Sequence, residues 1–395
     1  MKKLFLALGV VSFLLFACNS HRNDKTIHFS GTMKNDSIYI VDLDIEEESA
    51  PILFSSIFDK VETIILETRK EALVTQHFEF MAFDNYFFIL NDQDPKDFLI
   101  FDRKGKFIRK IGGIGQGPGE YVRVFDFTID PVNKVIFLNC DLVINKYYMD
   151  GTFIGSIDKA ENSMQIQFHN GKLYLEGRDA YLIIEVDPET GKKTGQYLDA
   201  HLYNKGFIEP RFSYGGNPFK HRFTESPKFA NSFMDTIMAI QQNGIMPFLA
   251  ITSKYLTTNA DIDATKGLEP NERIERIKNK NKIFCMNFYF ETKNHISFSY
   301  MHGKNHISIV YDLVTKTYKK SSLLNDLVFD GKVKMQNILY SDSNGVYESF
   351  HESIFLEFIY RQIQSGRLAP NLDKREELMK LPEDTNPVIF YYSYN

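Results

Sequence analysis

A strand–turn–strand unit recurs along the chain, and it constrains the fold more than any other feature of the sequence. In each copy an aromatic or apolar strand leads through a short polar gap to a second strand ending in Asp, which is followed by a turn and a further short strand. The residues that precede these turns are Asp102, Asp150, Asp187 and Asp312. The first two spacings, 48 and 37 residues, match the size of a four-stranded propeller blade.

Counting these units predicts the architecture. Hairpins are expected near residues 83–112, 132–157, 168–198, 229–252 and 284–320. A sixth blade is expected to combine 327–349, the C-terminal strand 386–395 and the N-terminal segment 58–68. Such a blade, closed from both chain ends, removes the open edge of the sheet. We therefore predict an all-β fold, a six-bladed β-propeller, with seven blades as the main competing count.

Two segments depart from the strand pattern and predict helices. Residues 254–282 are charged and helix-prone, which indicates a helical insertion on one face of the propeller. Residues 351–380 predict a short C-terminal helical segment, because apolar residues recur there at helical spacing. A second, shorter helix is expected within that segment at 374–380.

The composition supports β-structure and excludes one class of partner. The chain has 35 Phe and 21 Tyr but no Trp, and aromatic side chains suit the pleated surface of strands. The segment 98–101 is apolar at every position, which predicts strands covered on both faces, as in stacked blades. The net charge of −5 and the absence of a Lys/Arg block argue against nucleic acid as a partner.

The N-terminus predicts export. Lys2 and Lys3 precede an apolar run of 14 residues, too short for a membrane span but typical of a signal peptide. The run ends in Leu-Phe-Ala-Cys, which resembles the lipobox of bacterial lipoproteins and implies cleavage before a lipidated Cys18; an ordinary signal peptide is the alternative. The predicted organisation is a signal peptide at 1–17, the lipidated residue and a tether at 18–50, and a single propeller domain at 51–395.

The two remaining cysteines, Cys140 and Cys285, lie in apolar, strand-like surroundings 145 residues apart. Buried free thiols are the expected state, because cysteine is commonly buried. A disulfide between them is an alternative in an exported protein, and the sequence leaves the pairing open.

The glycine-rich stretch at 111–121 raises the question of phosphate binding. Neither the G-x-G-x-x-G spacing nor a P-loop is present, and the following residues alternate like a strand instead of opening a helix. We interpret Gly115, Gly117, Pro118 and Gly119 as a structural turn between blades. The alternative is a loop on a ligand-binding face, whose candidate contacts are Gln116, Glu120, Tyr121 and Arg123, joined by Arg211 and Tyr214 of a second, aromatic-rich loop.

The stretch 101–121, together with Phe-Asp-Phe-Thr-Ile-Asp after it, resembles the six-bladed β-propeller lipoproteins of Bacteroides-type bacteria. The segments 61–68, 233–251 and 386–395 resemble the same family, which is distantly similar to NHL-repeat propellers. Activity in that family is largely unassigned, so the resemblance implies a fold and an exported location and brings no catalytic residues.

These observations lead to a functional expectation. The protein is expected to be an outer-membrane lipoprotein, on the periplasmic side or the cell surface, that acts as a monomeric binding or scaffold module. Its partners would be the membrane, through the lipid anchor, and a glycan, a peptide or an envelope protein. The alternative is a propeller hydrolase or lyase with a polar or Ca²⁺-binding site in the central channel. No catalytic residue, cofactor or metal site is predicted, and the histidines at 295, 302 and 306 are not expected to converge on a metal.

Overall fold

The computed structural model describes residues 38–47, 50–93, 96–203, 217–220, 226–242, 244–330, 333–334, 338–349, 365–382 and 384–395. These residues form seven β-sheets, arranged as the blades of a propeller. The all-β propeller is therefore confirmed. The predicted count of six blades is wrong, since the structure has seven.

Three strands precede the first complete blade, and each joins a different sheet. They are β1 (Tyr39–Asp42), β2 (Ile52–Leu53) and β3 (Lys60–Ile65). Two short 3-10 helices, Phe54–Ser56 and Lys70–Ala72, lie between and after them.

Blades 1 to 3 are four-stranded antiparallel sheets whose strands follow chain order. Blade 1 comprises β4 (Phe78–Phe83), β5 (Tyr86–Asn91), β6 (Phe98–Asp102) and β7 (Phe107–Ile111). Blade 2 comprises β8 (Val124–Asp130), β9 (Val135–Cys140), β10 (Val143–Tyr148) and β11 (Phe153–Asp158). Blade 3 comprises β12 (Ile166–His169), β13 (Lys172–Glu176), β14 (Tyr181–Val186) and β15 (Lys193–Asp199). The one-turn helix α1 (Ala200–Tyr203) follows.

Blades 4 and 5 flank the helical insertion. Blade 4 comprises β16 (Phe219–Lys220), β17 (Lys228–Phe229), β18 (Thr236–Gln241) and β19 (Gly244–Thr252), with β1 added parallel to β19. The helices α2 (Asn259–Asp263) and α3 (Pro270–Asn279) lie within the predicted insertion. Blade 5 comprises β20 (Ile283–Glu291), β21 (His295–His302), β22 (Asn305–Asp312) and β23 (Thr317–Ser321).

Blades 6 and 7 depend on strands from the start of the chain. Blade 6 is a small sheet of β24 (Leu323–Asn325), β25 (Val333–Lys334) and β2, which runs parallel to β24. Blade 7 comprises β26 (Ile338–Ser341), β27 (Gly345–Ser349), β28 (Val388–Ser393) and β3. The short helix α4 (Arg375–Leu378) precedes β28 and lies within the second helix predicted at 374–380. Of the predicted helical segment 351–380, residues 351–364 lie outside the described residues.

The small sheet of blade 6 explains why the predicted number of blades is wrong. Its strands are two or three residues long, too short to show any periodicity in the sequence. β26 of blade 7 also contacts β20 of blade 5 directly. The predicted closure by both chain ends is confirmed, because β28 pairs with β3 from Lys60 to Ile65.

The sheets pack through apolar side chains on both of their faces. In blade 1, Phe88, Ile89, Phe98 and Leu99 are fully buried, as the uninterrupted apolar segment predicts. The rings of Phe98 and Phe127 lie 4.7 Å apart across the junction with blade 2. Such aromatic contacts between neighbouring sheets bury large areas and orient one blade against the next.

Because successive strands are antiparallel, the connections alternate between two faces of the propeller. The face at which β4, β8 and β12 end carries tight turns such as 84–85, 131–134 and 170–171, and we call it the turn face. The opposite face carries the longer connections 112–123, 159–165 and 253–282, and we call it the loop face. The helical insertion therefore lies on the loop face.

Candidate functional site

A cavity of about 610 Å³ opens on the turn face, within the size range of ligand pockets in proteins. It lies where the first strands of blades 1, 2 and 3 end. β4 contributes Met81 and Phe83, β8 contributes Ile129 and Asp130, and β12 contributes Phe168 and His169. The turns that follow β8 and β12 form its rim, with Pro131, Val132, Asn133, Asn170 and Gly171.

Apolar side chains form most of the cavity wall. Met81, Ile129 and Phe168 are buried, and the ring of Phe168 stacks on Phe137 of β9 at 5.6 Å. Phe83 is half-buried, and the ammonium of Lys134 lies 4.3 Å from the centre of its ring. Lys134 is itself paired with Asp84 at 3.2 Å. The wall thus presents a fixed aromatic surface to a bound ligand.

Asp130 organises the rim. Its Oδ1 accepts hydrogen bonds from the backbone amides of Val132 and Asn133, at 2.9 and 3.1 Å. Its Oδ2 accepts from Nδ2 of Asn133 at 2.7 Å. These three bonds hold the turn 131–134 in place. The carboxylate is therefore engaged in the turn and is poorly suited to act as a general base.

His169 supplies a neutral polar group. Burial, and to a lesser extent the charge of Lys228, lower the pKa of His169 below its usual value. Its Nε2 lies 2.9 Å from Nδ2 of Asn170. Since an amide nitrogen only donates, Nε2 accepts and the neutral ring carries its proton on Nδ1. The imidazole therefore offers a hydrogen-bond donor without a charge.

The arrangement suits an uncharged ligand with a ring. Aromatic walls pack against the apolar face of such a molecule, while a few fixed donors and acceptors orient it. Among the described residues, no group of three or more His, Cys, Asp or Glu is placed to hold a metal ion. The carboxylate at this mouth, that of Asp130, is already bonded within its turn.

The glycine-rich stretch forms a closed loop on the loop face, away from the cavity. The amide of Gly115 donates to the carbonyl of Tyr121 at 3.0 Å, and the amide of Tyr121 donates to the carbonyl of Gly113 at 2.9 Å. A carboxylate oxygen of Glu120 accepts from the amide of Gly117 at 2.8 Å. The hydroxyl of Tyr147 donates to the carbonyl of Gly119 at 2.7 Å. The loop is thus held by its own backbone and by blade 2.

The candidate ligand contacts in this stretch have different environments. Tyr121 is buried, and burial raises the pKa of its hydroxyl. Glu120 is engaged within the loop, whereas Gln116 is exposed. Arg123 is exposed and contacts both carboxylate oxygens of Asp141 at 3.0 Å. The two candidates of the second loop, Arg211 and Tyr214, lie outside the described residues.

Comparison with known proteins places the chain in a family. A family described as a domain of unknown function, DUF4934, matches residues 21–393. The chain belongs to the DUF4934 family. A search of curated proteins found no match.

Solved structures share the fold at low sequence identity. A Bacteroides fragilis protein described as exported is 16% identical, with a TM-score of 0.73 over 91% of this chain and all of that one. A member of the DUF4221 family from Bacteroides vulgatus is 12% identical, with a TM-score of 0.47 over 85% of this chain and 96% of the other. The first of these similarities supports the propeller fold, and at this identity it shows the fold alone.

Sequence reasoning missed the cavity residues. Asp130 lies 47 residues after Phe83 and 39 residues before His169 in the chain. Only the packing of blades 1, 2 and 3 side by side brings the three residues to the same cavity. A signal does exist, because each of them precedes or begins a tight turn at the end of a first strand. Aligning those turns across blades would have grouped the three positions.

Two further features bear on location and thiol chemistry. Among the residues with described structure, no helix has the length and apolar character needed to cross a bilayer. Cys140 is a free, buried thiol, and burial raises its pKa to about 12. The side chain of Cys285 and the whole of Cys18 lie outside the described residues.

Proposed function

We propose that this protein is an exported, membrane-tethered binding module that takes the uncharged sugar ring of a glycan into the cavity on the turn face. The cavity carries the proposal, because it combines fixed aromatic walls with neutral polar groups. Sugar rings present apolar C–H faces to aromatic side chains and hydroxyl groups to residues such as His169 and Asn170.

Two other observations support the proposed location. The sequence before Cys18 has the pattern of a lipoprotein signal, and a structurally similar Bacteroides fragilis protein is described as exported. A lipid anchor at Cys18 would tether the propeller to the outer membrane, since lipid chains bury apolar methylene groups in the bilayer. Radiolabelled palmitate should be incorporated into the wild-type chain and lost from Cys18→Ala.

Binding is tested by calorimetric titration of the full chain with neutral trisaccharides, namely maltotriose, cellotriose and xylotriose. Val132, at the rim, is 83% exposed, so Val132→Arg should block the mouth without disturbing the core. The affinity for the trisaccharide that binds should fall about tenfold or more, equivalent to about 1.4 kcal/mol.

Val314→Arg is the matched control. Val314 is 73% exposed and follows Asp312 in a turn of the same type in blade 5, where the Asp312 carboxylate accepts its amide hydrogen bond at 2.8 Å. This variant should bind like the wild type. Equal affinity in the two variants, or no binding of any of the three sugars at millimolar concentrations, would contradict the proposal.

A further inference from the structure

Positive charges gather on the loop face, around Phe125 at the start of β8. The ammonium of Lys159 lies 5.3 Å from the centre of the Phe125 ring, and the charged groups of Lys96 and Arg123 each lie 5.8 Å from it. These distances are within the range of cation–π attraction. The three cations come from three different connections on the loop face, and they also repel one another.

Arg178 adds a fourth charge to this group. It lies in the connection between β13 and β14, and its charge acts on both Lys159 and Glu176. Its Nε and Nη2 are buried and have no hydrogen-bond partner among the described residues. A buried donor without an acceptor is energetically unfavourable. Burial raises the pKa of the nearby Glu176 carboxyl to about 6, so at neutral pH it supplies one negative charge to this group.

The ammonium of Lys159 is held by hydrogen bonds to backbone carbonyls. Its Nζ donates to the backbone carbonyls of Cys140 and Ser163, at 2.6 and 2.9 Å. Within the described part of the chain, no carboxylate lies within 4.0 Å of the Lys159 or Arg178 nitrogens. Burial is the main reason that the pKa of Lys159 is lowered to about 8; Cys140 and Asp141 act in the opposite direction, and Arg178 lowers it further. Energetically unfavourable burial of unpaired charges is concentrated at functional sites in proteins.

The other two cations of the group differ from Lys159 and Arg178, because each forms an ion pair with an Asp. Arg123 is paired with Asp141, and Lys96 with Asp92. Lys159 and Arg178 have no such ion pair among the described residues, and the carboxyl of Glu176 offsets only one of their two charges. A single carboxylate matches this surplus better than a doubly charged phosphate, and the planar fork of an Arg fits a carboxylate with two parallel hydrogen bonds.

We propose that Lys159, Arg178 and Phe125 form a second binding site, on the loop face, for the carboxylate of an acidic sugar such as a hexuronate. The carboxylate lies between the two unpaired cations, and the partly exposed ring of Phe125 packs against the C–H face of the sugar. Lys96 and Arg123 lie at the rim and attract the anion. This site is separate from the cavity and does not depend on the neutral-sugar proposal.

The test is calorimetric titration of the full chain with trigalacturonate and with its methyl ester, which keeps the rings and removes the charges. The ester should bind at least about tenfold more weakly than the acid, a difference of about 1.4 kcal/mol. Arg178→Gln and Lys159→Met should each weaken binding of the acid by a similar factor. Lys266→Gln is the control, because Lys266 is exposed and pairs with Asp263 on the helical insertion; it should bind like the wild type.

Several outcomes would overturn the proposal. Equal affinity for the acid and the ester would remove the role of the charge, and wild-type affinity in both variants would remove the assigned residues. A pentaglutamate peptide that competes as well as trigalacturonate would overturn the sugar assignment. Val132→Arg should leave uronate binding unchanged, so failure at the cavity and failure here are distinguishable. Should Arg178→Gln not fold, as judged by its melting transition, Lys159→Met decides the result.

Discussion

At the scale of single residues, the turn face repeats one hydrogen-bond arrangement. In several of its turns, a carboxylate oxygen at the start accepts a hydrogen bond from the backbone amide two residues later, as in Asp150 with Thr152 at 2.9 Å. The same bond is made by Asp102, Asp187 and Asp312. Backbone hydrogen bonds hold the pKa of Asp150 and Asp312 below the usual range. The four Asp residues that define the sequence repeat therefore owe their pattern to turn geometry.

Gly119 is one of the glycines of the loop at 111–121 that cannot accept a side chain without strain. Its φ is +76°, and a Cβ there would lie 2.9 Å from the ring of Phe153. Gly119→Ala should lower the free energy of unfolding by about 2 kcal/mol or more, from backbone strain and overpacking. Urea denaturation measures this change.

Gly113 provides the matched comparison for that experiment. Nothing lies within 4 Å of a Cβ built on it, and its φ is not positive. Gly113→Ala should stay within about 0.5 kcal/mol of the wild type. Equal stability of the two variants would mean that the loop is not packed against β11 as described.

At the scale of elements, much of the fold was predictable and the exceptions have physical reasons. The hairpins of blades 1, 2, 3 and 5 follow from long apolar strands and Asp turns, and in blade 5 His302 pairs with Asn305 across the turn at Gly303. Blade 6 was not predictable, because β2 and β24 are short and lie about 270 residues apart. The cavity was not predicted for a related reason, since its lining residues come from three separate blades.

The first strand of the chain gives an element-scale prediction. β1 pairs in parallel with β19, with Val41 fully buried and Ile40 42% exposed. Val41→Asp should destabilise the protein by about 3 kcal/mol, because it buries an unpaired charge or detaches β1. Ile40→Asp, one residue away on the opposite face, should cost less than about 1 kcal/mol. Denaturant midpoints of the two variants measure the difference, and equal values would show that β1 does not dock on blade 4.

At the scale of the whole molecule, the buried histidines predict how stability depends on pH. Burial lowers the pKa of His169, His295, His302 and His306 below the usual value of about 6.5. The unfolded chain therefore takes up protons near pH 6.5 that the folded chain does not, and stability falls as the pH falls through this range. Glu176, whose pKa is raised to about 6, opposes the trend as a single group.

Urea denaturation at about pH 7.5 and about pH 5.5 tests this, since carboxylates with lowered pKa values lose their contribution only at more acidic pH. The midpoint should be lower at the acidic pH. His295→Gln, which removes one of the four rings, should reduce the difference between the two conditions. A midpoint that is constant or rises on acidification would contradict the assignment of neutral, buried histidines.

The way the N-terminal segment enters three blades has a mechanical consequence. β1, β2 and β3 follow one another between Tyr39 and Ile65 and join blades 4, 6 and 7. A pull on the chain upstream of Tyr39 therefore acts first on the four paired residues of β1. In a protein tethered through Cys18, tension would peel this short strand from the rim of blade 4 and lengthen the tether. The force would act on β3, which closes blade 7, only after β1 has detached. The propeller therefore stays closed while β1 separates from blade 4.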